Sequence, residues 1–301
     1  MSAAPPIVLT IAGFDPSSGA GITADIKVIA AHDCFGISCP TALTVQSTQG
    51  VRRVQPVDPK LVSDTLANLV ADFTVDAVHI GMLGTGQVAL AVADFLDHAK
   101  LPHVVLDPVL KSSSGADLLD PAGTQVMIER LFPLAELITP NLDEAAALAG
   151  LPHQAGTSTP GSDAPSTPPA LDAMREAAAR LHSLGALNVV VTGGNLEKAT
   201  DLLSFTTARG VEHEVFKAER QRSTSTHGTG CAFSTALACH LAHGRGLPEA
   251  VLLSKAYVCA AIANAQSLGH GTGPLHHLYR MHQQRRPTKI ISEAEHAHSR
   301  N

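Results

Sequence analysis

Aromatic residues are scarce in this chain. Tryptophan is absent, two tyrosines and eight phenylalanines make up 3% of 301 residues, and the interior must therefore be built from alanine, valine, leucine and isoleucine. Ala-rich helices against Val/Ile strands fit that composition. The five cysteines (Cys34, Cys39, Cys231, Cys239 and Cys259) are odd in number and contain no C-x-x-C pair, so neither a disulfide framework nor a Cys-rich zinc site is indicated. Sixteen histidines are scattered without an H-E-x-x-H pattern. No Lys/Arg run precedes the Gln283–Lys289 segment and the formal net charge is −6, a balance that argues against nucleic acid as a partner. No apolar run reaches spanning length, and the first residues enter a strand without a charged, signal-like region, so no membrane association and a cytoplasmic location are expected.

One stretch organises the rest. Residues Arg222 to Ser234 (RSTSTHGTGCAFS) run from a polar, Gly-rich turn straight into a small-residue apolar helix. The N–H groups of Gly228, Thr229, Gly230 and Cys231 then stand unpaired at a helix N-terminus, which is an anion site. Two glycines allow a phosphate to approach the backbone, and a thiol in the first turn feels the positive end of the helix dipole, which favours thiolate. On the pattern alone, an ordinary Gly-rich loop with a structural cysteine fits equally well.

Along the chain, strands and helices alternate. Ile7–Gly13 reads as a buried strand, followed by a turn-rich loop (Phe14–Gly21) and a helix from Ile22. The glycines at 13, 19 and 21 match neither G-x-x-x-x-G-K-[ST] nor G-x-G-x-x-G, which excludes P-loop and Rossmann assignments. Cys34–Pro40 reads as a strand and Thr41–Gly50 as the loop after it, with a short strand over Val51–Val57. Helix Pro59–Phe73, strand Asp76–Met82, helix Thr85–His98, strands His103–Asp107 and Leu137–Asn141, and a helix to Gly150 continue the rhythm. A Pro/Ser/Thr-rich surface loop is expected over about 152–170. Helix Leu171–Gly185, strand Asn188–Gly194, an antiparallel hairpin (Leu202–Thr207 with Glu212–Lys217) at one sheet edge, and helices Gly228–His243 and Leu247–Leu268 complete the fold. The tail from residue 281 reads as loosely held. The expectation is one α/β domain over 1–280, with a mostly parallel sheet covered on both faces. Ligands in such sheets lie beyond the carboxyl ends of the strands, where Gly13, Met82, Asp107 and Asn141 fall.

Taken in order, Asp15–Gly21 (DPSSGAG) with Asp25, Ile80–Met82, Asp107–Val109, Thr139–Glu144 and His227–Cys231 resemble the ribokinase-like superfamily. Within it they resemble the hydroxymethylpyrimidine/phosphomethylpyrimidine kinases of thiamin synthesis, over nearly the whole chain. The resemblance implies a three-layer ribokinase-like fold and ATP-dependent phosphorylation of 4-amino-5-hydroxymethyl-2-methylpyrimidine and its monophosphate. It implies Mg²⁺ and ATP, and a homodimer as an expectation. Cys231, where most of the superfamily carries Asp, is then the base, with the Gly228 and Gly230 amides as the anion hole. Asp107 and Glu144 are hard oxygen ligands suited to Mg²⁺, and Asn141, Thr192, Gly194 and Thr229 fall in the nucleotide region. Gln46, with both a donor and an acceptor, matches an aminopyrimidine edge, and Asp25, Gly13, Met82 and Val109 fill the remaining pocket positions. Alternatively Asp25 is an early-helix charge and Met82 and Val109 are core filler. Thr192 departs from the family, whose better-known members carry Lys before the Gly-Gly. Lys111, at the start of a polar, flexible stretch, is a candidate to replace that charge, the alternative being a solvated loop lysine. Pyridoxal kinase, or a non-catalytic pyrimidine-binding protein of the same fold, are the competing readings.

Overall fold

The computed structural model describes residues 4–112, 114–152, 168–194, 198–221 and 223–283. Among the described residues nine strands form a single sheet, β1 (Ile7–Phe14), β2 (Phe35–Ser47), β3 (Gly50–Pro56), β4 (Ala77–Ile80), β5 (Val104–Leu106), β6 (Leu137–Ile138), β7 (Val189–Val191), β8 (Lys198–Thr207) and β9 (Gly210–Glu219). Their order is β3-β2-β1-β4-β5-β6-β7-β8-β9. The six from β2 to β7 run parallel, while β3 at one edge and β8 with β9 at the other are antiparallel.

Period-two alternation splits the core into two layers. Leu9 and Ile11, Val78 and Ile80, Val104 and Leu106, and Val189 and Val191 point to one face. There they meet α2 (Pro59–Asp72), α3 (Gly86–Ala99), the short α4 (Pro121–Val126), α5 (Leu142–Leu148) and α6 (Pro168–Ser183). Their neighbours Val8, Ala77, Val105, Leu137 and Val190 point to the other face. That face is covered by α1 (Gly21–Ala31), α7 (Thr229–Ala242), α8 (Leu247–Ala263) and α9 (Tyr279–Gln283). Residues buried on both faces are what a parallel sheet under two helical layers requires.

The three-layer architecture and the edge hairpin expected from the sequence are present. Several boundaries differ. Thr41–Ser47 is strand rather than loop: it continues β2 past the body of the sheet and pairs with β3, so a second hairpin occupies the opposite edge. The reading as a loop failed because Leu43 and Val45 alternate outward into solvent, where apolar residues carry no burial signal. The short α4, a π-helical turn at Met127–Leu131 and a 3-10 turn at Phe132–Leu134 fill a stretch without a predicted element. Most of the expected 152–170 loop and of the tail lies outside the described residues. Its end, from Pro168, already belongs to α6, and α9 runs to Gln283.

Helix α7 fixes where the site lies. Ala232, Ala236, Ala238 and Cys239 are buried, and small residues let the helix lie close against β1, β4 and β5. Ser234 Oγ donates to Gly230 O at 3.0 Å and lies 2.7 Å from Thr139 Oγ1, tying the first turns of α7 to the residue after β6.

Candidate active site

The loop before α7 turns on Gly228, whose backbone is left-handed (φ 81°). A Cβ there would run into the carbonyl oxygen of Gly19 and lie 3.0 Å from its carbon. Glycine is therefore required twice over, by conformation and by the close approach of the β1–α1 loop. The first intrahelical bond runs from Ala232 N–H to Gly228 O at 2.9 Å, so the amides of Gly230 and Cys231 precede the ladder at the positive end of a 14-residue helix.

Cys231 does not carry the thiolate that its helix position suggested. Burial pushes the thiol well above its ordinary pKa, and the Asp107 and Asp25 carboxylates push it the same way. The thiol hydrogen-bonds the Asp107 side chain, and the Gly21 amide offers a smaller opposing contribution. Helix polarity is a fraction of a charge; two buried carboxylates outweigh it.

Asp107 is buried beyond β5, and its Oδ2 lies 3.9 Å from where a Cβ of Gly230 would sit. Burial raises its pKa to about 6 against the favourable influence of His79 and Cys231. Burial, then repulsion from Asp107, raises Glu144 to about 8. Glu144 also closes a capping box on α5: its Oε2 accepts from Asn141 N–H at 3.0 Å, while Asn141 Oδ1 accepts from Glu144 N–H at 2.9 Å. Two hard-oxygen carboxylates, one raised by repulsion from the other, suit a divalent cation. Among the described residues no group of three or more His, Cys, Asp or Glu side chains forms a cage, so such a cation would complete its shell with water or phosphate oxygens.

Asp25 lies beneath this site rather than on its surface. Its Oδ2 accepts from Thr10 Oγ1 at 2.7 Å and its Oδ1 from Thr235 Oγ1 at 3.0 Å. His79 Nδ1 is 3.4 Å from Oδ2, with both side chains fully buried. Burial pushes His79 down, but Asp25, with Asp107 behind it, more than offsets this and holds its pKa above the ordinary value. Asp25 is thus neither a simple early-helix charge nor free to touch a substrate directly.

An apolar wall stands apart from the two main layers. Met82 packs with Ala42 and Leu118, with Val54 and Val109 against them, and a Cβ on Gly13 would sit 2.8 Å from the Met82 sulfur. Gln46, at the end of β2, reaches across to His227: its terminal amide is 3.1 Å from His227 Nε2, which is 2.9 Å from Asp15 Oδ2. Asp15 and His227 lie in the sequence motifs without a role; sequence distance hid that they meet.

Thr192 bridges β7 to Asn141, donating its N–H to Pro140 O at 2.9 Å and accepting from Leu142 N–H at 3.1 Å. The Gly193 amide donates to Asp201 Oδ1 at 3.0 Å, and Asp201 Oδ2 holds Lys255 Nζ of α8 at 2.6 Å in a nearly buried pair. Gly194 is exposed. Lys111 does not turn inward: its amine is exposed and 3.5 Å from Asp117 across a tight turn, and exposed pairs of this kind are weakly held. The buried cation beside the 192–194 loop is Lys255, which sequence reasoning missed because nothing marks one lysine in an apolar helix.

The sequence model of the phosphomethylpyrimidine kinase family matches residues 15–276. The chain belongs to this family. Its relatives include the thiamine biosynthesis bifunctional protein ThiED of Geobacter sulfurreducens, 42% identical over 90% of this chain and 52% of that protein. The chain thus spans about half the length of that relative. The hydroxymethylpyrimidine/phosphomethylpyrimidine kinase of Haemophilus influenzae is 36% identical over 90% of this chain and 96% of its own. Among solved structures, an ADP complex of Bacillus subtilis pyridoxal kinase superposes with a TM-score of 0.77 at 34% identity, covering 92% of this chain and 99% of that one. The protein is a phosphotransferase. No helix among the described residues is long and apolar enough to cross a membrane.

Proposed function

We propose that this kinase phosphorylates the hydroxymethyl group of 4-amino-5-hydroxymethyl-2-methylpyrimidine and then its monophosphate. The observation that carries the reading is the convergence of Gln46, the Met82–Val109 wall and the Cys231–Asp107 pair on one end of the sheet, beside an amide-lined helix N-terminus. Gln46 reads the ring edge, Gly13, Met82 and Val109 flank its faces, and the Gly228, Gly230 and Cys231 amides receive the transferring phosphoryl group, while the expected Thr229 donors are both spent on Thr226 O. Asn141, Thr192 and Gly194 border the nucleotide.

In the transfer, Cys231 acts from its thiolate form, its own proton having left to solvent: the substrate hydroxyl oxygen bonds to the γ-phosphorus, the bond to the ADP oxygen breaks, and the hydroxyl proton passes to the Cys231 sulfur. Asp107 and Glu144 would hold Mg²⁺, which would supply positive charge to the phosphates. Asp25, bonded to Thr10, Thr235 and His79, holds the floor of the site in register.

Pyridoxal kinase is the second reading, favoured by the similarity to the Bacillus subtilis structure. ADP release measured with the pyrimidine alcohol, pyridoxal and no second substrate separates the readings. Turnover with the pyrimidine at the higher kcat/KM supports the proposal; higher kcat/KM with pyridoxal favours the alternative, and turnover with neither overturns both substrate assignments.

A further inference from the structure

The geometry points to His227 as the residue that orients the Gln46 amide, and through it sets the choice between an aminopyrimidine and a ring lacking the amino group. This inference rests on the function proposed above. The chain of hydrogen bonds starts at Asp15. Its carboxylate accepts from Ser17 N–H at 2.8 Å, Ser17 Oγ at 2.7 Å, Gly19 N–H at 3.3 Å and Ala20 N–H at 3.0 Å. These bonds, with that from His227, outweigh burial and hold the Asp15 pKa below its ordinary value.

A carboxylate only accepts, so His227 Nε2, 2.9 Å from Asp15 Oδ2, must carry a proton toward it. That nitrogen then has no lone pair for a second donor. The end of the Gln46 amide that lies 3.1 Å away is therefore its carbonyl oxygen, sharing the same proton. The amide's other end, 3.1 Å from Thr44 Oγ1, becomes its NH₂. Thr44 agrees: its single hydroxyl proton goes to Phe14 O at 3.0 Å, leaving its lone pairs to accept from Gln46. The half-turned amide satisfies every group in the chain from Asp15 through His227 and Gln46 to Thr44. The opposite orientation sets an N–H against an N–H at one end.

Each end of the locked amide keeps one further bond to offer. The carbonyl retains a lone pair and the NH₂ a second proton, in a fixed left-to-right order. An amino group beside a ring nitrogen presents the complementary donor and acceptor; pyridoxine, which lacks the amino group, does not. The His227 ring is held edge-on against Gly19, where a Cβ would meet its Cδ2, and its backbone N–H donates to Gly273 O at 3.0 Å. Neither end of the chain is free to swing.

The test compares kcat/KM for the pyrimidine alcohol and for pyridoxine, with MgATP, in wild type, His227→Phe, His227→Gln and Thr44→Val. His227→Phe keeps the ring and removes the donor. It should raise KM for the pyrimidine alcohol about ten-fold, the effect of one lost hydrogen bond, with a smaller change for pyridoxine and for ATP. His227→Gln, which restores an N–H donor, should recover part of the preference. Thr44→Val perturbs the opposite end, away from the Gly228–Cys231 loop, and should lower the same ratio even if His227→Phe does not fold. Folded variants that keep the wild-type ratio, or that shift both substrates and ATP alike, overturn the orienting role alone. Absence of pyrimidine turnover in wild type overturns the proposed function and this inference together.

Discussion

Replacing Gly228 by alanine separates two effects that the structure allows to be measured apart. A left-handed backbone costs a residue with a Cβ about 1–2 kcal/mol. Gly244, just past the other end of α7, has nearly the same conformation (φ 76°), and a Cβ there meets nothing within 4 Å. Gly244→Ala should therefore lower Tm by a few degrees, at about 2–4 °C per kcal/mol or somewhat less for a chain of this length, and leave kinetics unchanged. Gly228→Ala carries the same conformational penalty plus a collision with the Gly19 carbonyl, in a loop tied to Asp15 by four hydrogen bonds. Relief requires the α7 terminus and the β1–α1 loop to part. A displacement approaching 1 Å costs on the order of 10²-fold in rate, so kcat/KM for ATP should fall by about that factor. Thermal melts and coupled ADP release on the two variants are sufficient. A Gly228→Ala enzyme with the kinetics of Gly244→Ala would refute the claim that this close approach builds the anion site.

Cys231→Ala should keep ligand binding while losing about 10²–10⁴-fold in kcat, and Cys231→Asp should recover part of it; both are read from the steady-state rate. Glu144, raised from an ordinary value of 4.5 to about 8, binds its proton more tightly folded than unfolded. Its contribution to stability is complete below pH 4.5 and is lost as pH rises through about 8, so metal-free Tm should fall across that window, and less so in Glu144→Gln or with Mg²⁺ added. Lys255→Met strands a buried Asp201 and should cost about 3–5 kcal/mol in denaturant melts; adding Asp201→Leu should return much of it.

How much of this was legible in the sequence follows from the range of the signal. Val8 to Ile11 and Val189 to Val191 announce buried strands because apolar residues on both faces leave no ambiguity. The end of β2 does not, since Leu43 and Val45 are apolar residues that remain exposed. Gly228 to Cys231 is visible because glycine and a helix start are local facts. The pKa of Cys231 is not local: it depends on Asp107 and Asp25, which lie 124 and 206 residues away in the chain. His227, Asp15 and Gln46 meet only when the β1–α1 loop, the end of β2 and the loop before α7 come together, and Lys111 turns outward, the alternative the sequence also allowed, because loop geometry fixes a side chain's direction and composition does not.

The most direct measurement is the mass of the product formed from 4-amino-5-hydroxymethyl-2-methylpyrimidine and MgATP. The account predicts one added phosphoryl group at early times and two at completion, with little of even the first addition in Cys231→Ala over the same interval. An unmodified pyrimidine after prolonged incubation with active, folded enzyme would contradict it.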